Sequence, residues 1–236
     1  VKGQIICSVD LGINTDAVCT IMRADGTVLG RKFIDFPSEK DRMYRTLGRI
    51  RRFQREHGSA QAGERWAYTR RLNIELSRKI AGAVAEYAWE NHADVIVFEY
   101  LEMNGKISGS RKQKLHLWRK RDVQKICEHR AHRNGIRVSR VCAWNTSRLA
   151  YDGSGLVARN PENHSLCVFQ NGKQYNCDLS AAYNIGARYF IRELLKPFSE
   201  TERSSLEAKV PSVKRRTSCV YADLRLLSAE LGVSAA

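Results

Sequence analysis

With 236 residues the chain is long enough for one substantial hydrophobic core and a small appendage, and one large α/β domain is expected. Forty Lys and Arg against 25 Asp and Glu leave a formal charge of +15, which no fold requires and which favours polyanionic partners, nucleic acid ahead of an anionic membrane surface. The sequence has no run of about 18 apolar residues and no charged-then-apolar opening, which speaks against a transmembrane helix and for a soluble protein. Seven cysteines are an odd number, and Cys7, Cys19 and Cys127 sit inside apolar patterns, so a reducing compartment fits better than a disulfide framework.

A strand is expected almost from Val1, as in an excised domain or a trimmed gene product. Residues 5–9 and 17–22 are β-branched runs, and the turn signal ADGT at 24–27 leads into VLGRKFI, so three antiparallel strands open the chain. An arginine-rich helix follows from Asp41 to about His57. After the weak stretch GSAQAG a second helix carries Leu72, Leu76, Ile80, Val84, Tyr87 and Ala88 at 3.6-residue spacing. Val95–Phe98 is an unbroken apolar run bounded by Asp94 and Glu99, the pattern of a strand buried on both faces and a natural parallel partner for the first strand. A Gly/Ser/Lys loop then precedes a helix from about Leu115 to His132 and a strand-like 137–144. Residues 145–177 are loop-rich, with LCVF and KQYNC as short strand candidates, and a helix runs from 178 to about 195, stopped by Pro197. The remainder, with a basic KRR at 214–216 and Val220, Leu224, Leu227 and Leu231 in an amphipathic stretch, reads as an appended tail.

Three acids stand at the ends of elements: Asp10 and Glu99 each close an apolar strand, and Asp178 opens a helix. Parallel neighbours lie about 4.8 Å apart, and ligands collect at the carboxyl edge of open α/β sheets. Carboxylates gathered there raise one another's pKa unless a hard divalent cation holds them. Two Mg²⁺ ions about 3.5–4 Å apart can activate water and stabilise the leaving oxygen of a phosphodiester. Taken singly, strand-end acids are common, and Asp178 would serve as an N-cap.

The set VDLGINTDAV, VIVFEYL and CDLSAAYNIGAR, spread over residues 3–195, resembles the three split segments of a RuvC-type nuclease domain, in the version of transposon-encoded TnpB-type and type V CRISPR effector nucleases. The resemblance implies an RNase H-like α/β fold, a mixed sheet with flanking helices and a long helical insertion at about 41–92. The core would be 1–144 with 174–196, the insert 145–173 and the tail 197–236. It implies metal-dependent cleavage of DNA directed by a guide RNA, with Asp10, Glu99 and Asp178 as catalytic residues and ligands of two Mg²⁺ or Mn²⁺ ions. A cytoplasmic, nucleoid-associated protein of a prokaryotic host is then expected.

Two departures stand out. The family's zinc ribbon follows T-S-x-x-C-x-x-C-G, but after Thr146 and Ser147 the cysteine positions hold Ala150 and Gly153, and the second pair is Cys167 and Gln170. One ligand of four cannot hold tetrahedral Zn²⁺, so no zinc is expected despite Cys142, His164 and Cys177 nearby, and the insert is read as degenerate. Family members also carry a guide-binding region ahead of the nuclease segments. This chain starts at the first segment, so a fragment, a partner chain or a role without a guide is expected.

The cluster Arg111, Lys112, Lys114, Arg119, Lys120 and Arg121 follows Glu99 closely and is read as nucleic-acid-binding, in what the resemblance makes the lid over the site. Trp118 or His116 would stack on a base, or Trp118 would join Leu115, Val123, Ile126 and Cys127 in the core, the preferred reading. The arginines of 45–58 track a backbone or are merely solvated. Arg188 is expected on a phosphate or against the sheet. The competing function is a non-catalytic nucleic-acid-binding regulator or transposition accessory; a Holliday-junction resolvase shares the implied fold but lacks the basic helical insertion.

Overall fold

The computed structural model describes residues 1–58, 62–101, 111–163 and 165–233, with the backbone alone for 111–114. Strands β1 (Ile5–Asp10), β2 (Ala17–Arg23) and β3 (Val28–Ile34) form an antiparallel meander. Its second turn is closed by Asp25, whose carboxylate accepts from the Thr27 amide and hydroxyl at 2.8 and 2.7 Å, while Gly26 takes the left-handed φ of 84° that the turn requires. Helices α1 (Pro37–His57) and α2 (Gly63–Glu90) then lead to β4 (Val95–Glu99), and α3 (Arg111–Arg133) leads to β5 (Arg137–Val141). Both β4 and β5 run parallel to β1, giving the order β3-β2-β1-β4-β5. No described helix is long and apolar enough to cross a membrane.

The two-residue period of the strands sorts the core into two halves. Cys7, Val9, Ile96 and Phe98 pack on one face with α2 and α3. Ile6, Val95 and Val97 pack on the other with α4 (Cys177–Leu195). Helix α4 comes very close to the sheet because Gly186 has no side chain; a Cβ there would lie 3.0 Å from Ser8 Oγ and 3.2 Å from Met22 Sδ. Ser8 and Thr20 share one hydrogen bond of 2.5 Å beneath the helix, so neither buried hydroxyl is left unsatisfied. Between β5 and α4 the chain forms a small antiparallel sheet of β6 (Ala158–Arg159), β7 (Leu166–Val168) and β8 (Gln174–Asn176).

The segment after Pro197 is more than an appendage. Helix α5 (Glu200–Lys209) begins with a capping box between Ser199 and Glu202, and α6 (Tyr221–Glu230) covers the outer face of α4. Val210, Val213, Cys219, Leu224 and Leu227 are buried in the same cluster as Ile185 and Phe190. Ser228 Oγ and Tyr221 OH donate to the carbonyls of Ala24 and Gly26 at 2.8 and 2.5 Å, fastening α6 to the β2–β3 turn. That is why α4 is buried on almost every side.

Trp118 also departs from its expected place. The inward face of α3 carries Leu115, Arg119, Val123, Cys127 and Ala131, and Trp118 lies at the margin of that stripe, 38% exposed. The arginines at 45, 49, 51, 52 and 55 on α1 all face solvent, and Met43 and Ile50 are the residues that α1 buries.

Leu226 and Leu227 test the role of α6 as core. Leu227→Ala is expected to lower unfolding free energy by about 2–5 kcal/mol. Leu226→Ala, at a position 58% exposed, should change it by no more than about 0.5 kcal/mol. Urea denaturation followed by circular dichroism measures both.

Candidate metal centre at the carboxyl edge of the sheet

Asp10 and Glu99 are the last residues of β1 and β4. The parallel register pairs Ile6 with Val95 and Val9 with Phe98, so the two acids come level at the next step. Alternation puts them on the face that Ile6 and Val95 share, the face covered by α4. Asp178 sits in the first turn of α4 at the same edge. It does not cap the helix: that role belongs to Asn176, whose side-chain oxygen accepts from Leu179 N at 2.9 Å, leaving the Asp178 carboxylate outside the capping bond. The turn after β1 passes against it. A Cβ on Gly12 would lie 3.6 Å from Asp178 Oδ2 and only 2.4 Å from the Thr15 carbonyl oxygen, so this tight turn admits only glycine without a shift.

Burial pushes the Asp10 carboxyl up to about 8, reinforced by the charges of Glu99 and Asp178 and opposed by Lys120 and Arg159. Burial likewise raises Asp178, against the same two cations. The three carboxylates thus share one electrostatic site. Glu99 is oriented by the Thr146 hydroxyl, which donates to Oε1, and its backbone carbonyl accepts from Gln124 Nε2 of α3 at 2.9 Å. Nothing in the sequence marks Arg159, or the hydroxyl of Thr146, as part of this site. Arg159 lies in a loop-rich stretch with no local signal, and only the β6–β7 pairing fixes where it stands.

As placed, no group of three or more His, Cys, Asp or Glu side chains among the described residues is drawn in tightly enough to hold an ion. The donor chemistry nevertheless fits a divalent cation. Hard carboxylate oxygens, a buried acid destabilised as an anion, and neighbouring like charges are all relieved by one positive ion among them.

Two of the expected phosphate-binding residues are in the interior. Arg119 is 6% exposed; Nη1 lies 3.6 Å from Asp16 Oδ1 and Nε donates to Asn73 Oδ1 at 3.0 Å. Asn73 donates in turn to the Leu115 carbonyl, and Asp16 accepts from Phe36 N, so the network joins the β1–β2 turn, α2 and α3. A guanidinium committed there is not free for a phosphate. Arg188 is 4% exposed and binds main-chain carbonyls: those of Cys142 and Trp144 through Nη1 at 2.7 and 2.8 Å, and that of Cys219 through Nε at 3.0 Å. Asn184, one turn earlier, donates to the carbonyls of Thr146 and Leu149 and accepts from Tyr221 N. Lys120, by contrast, faces the carboxylates. The side chains of Arg111, Lys112 and Lys114 lie outside the described residues, as does His164.

The insert is held by packing. Tyr151 meets Phe169, Tyr175, Tyr183 and Tyr221 at ring separations of 4.9 to 5.9 Å. Cys167 and Cys177 are buried against this cluster, and burial pushes the Cys167 thiol up to about 12, the behaviour of a small apolar group. Cys142, by contrast, is exposed.

No family profile matches the sequence, and no curated protein matches it. Solved structures do. A Cas12f1–sgRNA–target DNA complex aligns over 77% of this chain and 49% of its own with a TM-score of 0.56 and 18% identity. A CRISPR-Cas12f ternary complex aligns over 77% and 38%, with a TM-score of 0.53 and 18% identity. The likeness shows the fold: a RuvC-like, RNase H-like mixed five-stranded sheet with flanking helices, shared with part of each Cas12f chain. Thermus thermophilus RuvC itself superposes over 98% of both chains at 11% identity, with a TM-score of 0.31 that is too low to argue from. This chain spans less than half the length of either Cas12f chain.

Two predictions follow from the site. In metal-free buffer Asp10 keeps its proton in the folded chain up to about pH 8, whereas the unfolded carboxyl loses it near about 4. Between those values the folded state binds more protons at Asp10, so this residue's contribution to stability is greatest below about pH 4 and falls as pH rises toward about 8. Asp10→Asn should remove that part of the slope of melting temperature against pH, as should saturating Mg²⁺. Elemental analysis should find zinc far below one atom per chain, because only Cys167 of the four ribbon cysteine positions is a cysteine.

Proposed function

We propose that the chain is the metal-dependent DNA-hydrolysing part of an RNA-guided nuclease of the TnpB or type V CRISPR effector kind. The observation that carries this reading is the gathering of Asp10, Glu99 and Asp178 at one edge of the sheet, with Asp10 so disfavoured as an anion that a cation is the natural partner. The Cas12f1 structure, a complex with sgRNA and target DNA, supports the assignment of nucleic acid as partner. The +15 charge supports it independently.

In this proposal the three carboxylates hold two Mg²⁺ or Mn²⁺ ions, which when bound supply a polarised water and charge stabilisation for in-line phosphodiester hydrolysis. The chain's own side chains do the rest. Thr146 holds Glu99 in one rotamer through its hydroxyl, and Gln124 ties the Glu99 main chain to α3. Lys120 and Arg159 face the acids and would meet a phosphate oxygen arriving between them, lowering the repulsion that three carboxylates present to a polyanion. A guide-reading region would come from elsewhere in a longer protein or from a partner.

The second reading, a nucleic-acid-binding regulator without catalysis, is favoured by the carboxylates not being drawn around a single point. Cleavage decides between them. The parent protein, with guide RNA and Mg²⁺ or Mn²⁺, is expected to nick DNA, and Asp10→Ala to abolish nicking while DNA affinity is kept or rises as a negative charge is lost. Equal metal-dependent cleavage by wild type and Asp10→Ala, or cleavage by neither, overturns the nuclease reading.

A further inference from the structure

A cleft of about 350 Å³ lies beside the carboxylate edge, lined by Cys142, Trp144, Arg215, Thr217 and Ser218. Its two walls are more than 70 residues apart in the chain. The first follows β5, whose last residue, Val141, is paired with Glu99. The second is the basic loop before α6, where Lys214, Arg215 and Arg216 are all exposed. Arg188 joins them: one nitrogen binds the Cys142 and Trp144 carbonyls and another binds the Cys219 carbonyl, while Nη2 is buried without a hydrogen-bond partner. A buried guanidinium spent on main chain from both walls makes the cleft a built feature rather than a gap between loops.

Its lining has the chemistry of a nucleotide site. Trp144 is 56% exposed, although indole is a large apolar ring and Arg188 holds its main chain in place. Asn145, at a φ of 54°, turns the chain left-handed immediately afterwards, a conformation asparagine tolerates better than most residues. Trp144 therefore faces outward while Thr146, two residues on, is buried with its hydroxyl on Glu99. Opposite the ring stand one guanidinium and two hydroxyls, and no acid among the described residues lines the cleft. The volume is near the lower end of small-ligand clefts, about 300–1,000 Å³; it suits one base and its phosphate and is too small for a duplex.

We propose that this cleft holds an unpaired nucleotide of a single DNA strand beside the cleavage site, its base stacked on Trp144 and its phosphate on Arg215 with Thr217 and Ser218. A flanking nucleotide fixed two residues from the group that orients Glu99 sets the register of the strand. The placement rests on the nuclease reading above, but the binding does not require cleavage.

The test uses the full chain in EDTA, with a labelled single-stranded oligothymidylate, a duplex of the same length and a single-stranded RNA as probes in fluorescence anisotropy. Stacking on one aromatic ring predicts that Trp144→Ala weakens the DNA single strand by about tenfold or more, that Trp144→Phe restores most of it, and that the duplex is unaffected. Arg215→Ala should weaken the single strand and make its binding less salt-dependent. Unchanged single-strand affinity in Trp144→Ala overturns the proposal, as does an equal loss for duplex, or tighter binding of the RNA than of the DNA. Thermal melts of both Trp144 variants should match wild type, since the ring is mostly outside the core. If this binding pattern holds and the parent protein does not nick, the nuclease reading fails and the cleft stands; the reverse result removes the cleft alone.

Discussion

The parallel pairing of β1 with β4 is the constraint on which the site depends. Strands that run together end together, and the period of two then decides which side chains share a face. Ile6 and Val95 are paired and lie in the half of the core under α4, so Asp10 and Glu99, each four residues later, must lie there too. A one-residue slip would carry one acid to the face occupied by α2 and α3. That face is filled by Cys7, Val9, Ile96 and Phe98, so the register that buries the core is also the register that gathers the acids.

Helix α4 brings the third acid, and its position is over-determined from both sides. Gly186 lets it settle onto Ser8 and Met22, while α6 presses from outside through Leu224 and Leu227. Asn184 and Arg188 then use the far side of the helix to collect carbonyls from the segment after β5 and amide or carbonyl groups from the start of α6. The consequence for the site is direct. Thr146, which orients Glu99, has its own carbonyl held by Asn184, so a helix that carries Asp178 also positions the group that aims Glu99.

Much of this was legible in the sequence because it is local. Apolar runs that stop on an acid mark β1 and β4, the 3.6-residue stripe marks α2, and Pro197 marks the end of α4. The site acids stood out for the same reason: an ionisable group where an apolar strand ends is a local anomaly. What escaped was set by partners far along the chain. Arg119 reads as a phosphate-binding cation and Arg188 as one on a phosphate or against the sheet, because nothing nearby announces Asp16 and Asn73, or the carbonyls of residues 142, 144 and 219, as their partners. Arg159 carries no pattern at all, and the burial of residues 210–227 depends on an α4 surface whose apolar girdle is too continuous to say what covers it.

The buried arginines change the meaning of the charge. A basic sequence suggests a basic surface, yet two guanidinium groups close to the site are used inside: Arg119 to neutralise Asp16 at the turn after β1, Arg188 to staple the segments after β5 and before α6. The two cations that act on Asp10 and Asp178, Lys120 and Arg159, come from α3 and β6. Their opposition is incomplete, since the net effect leaves Asp10 well above the usual carboxylate range. Two fixed cations that fully compensated the three acids would leave a divalent ion little to gain by binding. In the proposed function, under-compensation would keep the centre attractive to a mobile cation, and Lys120 and Arg159 would still lessen the field that an incoming phosphate has to cross.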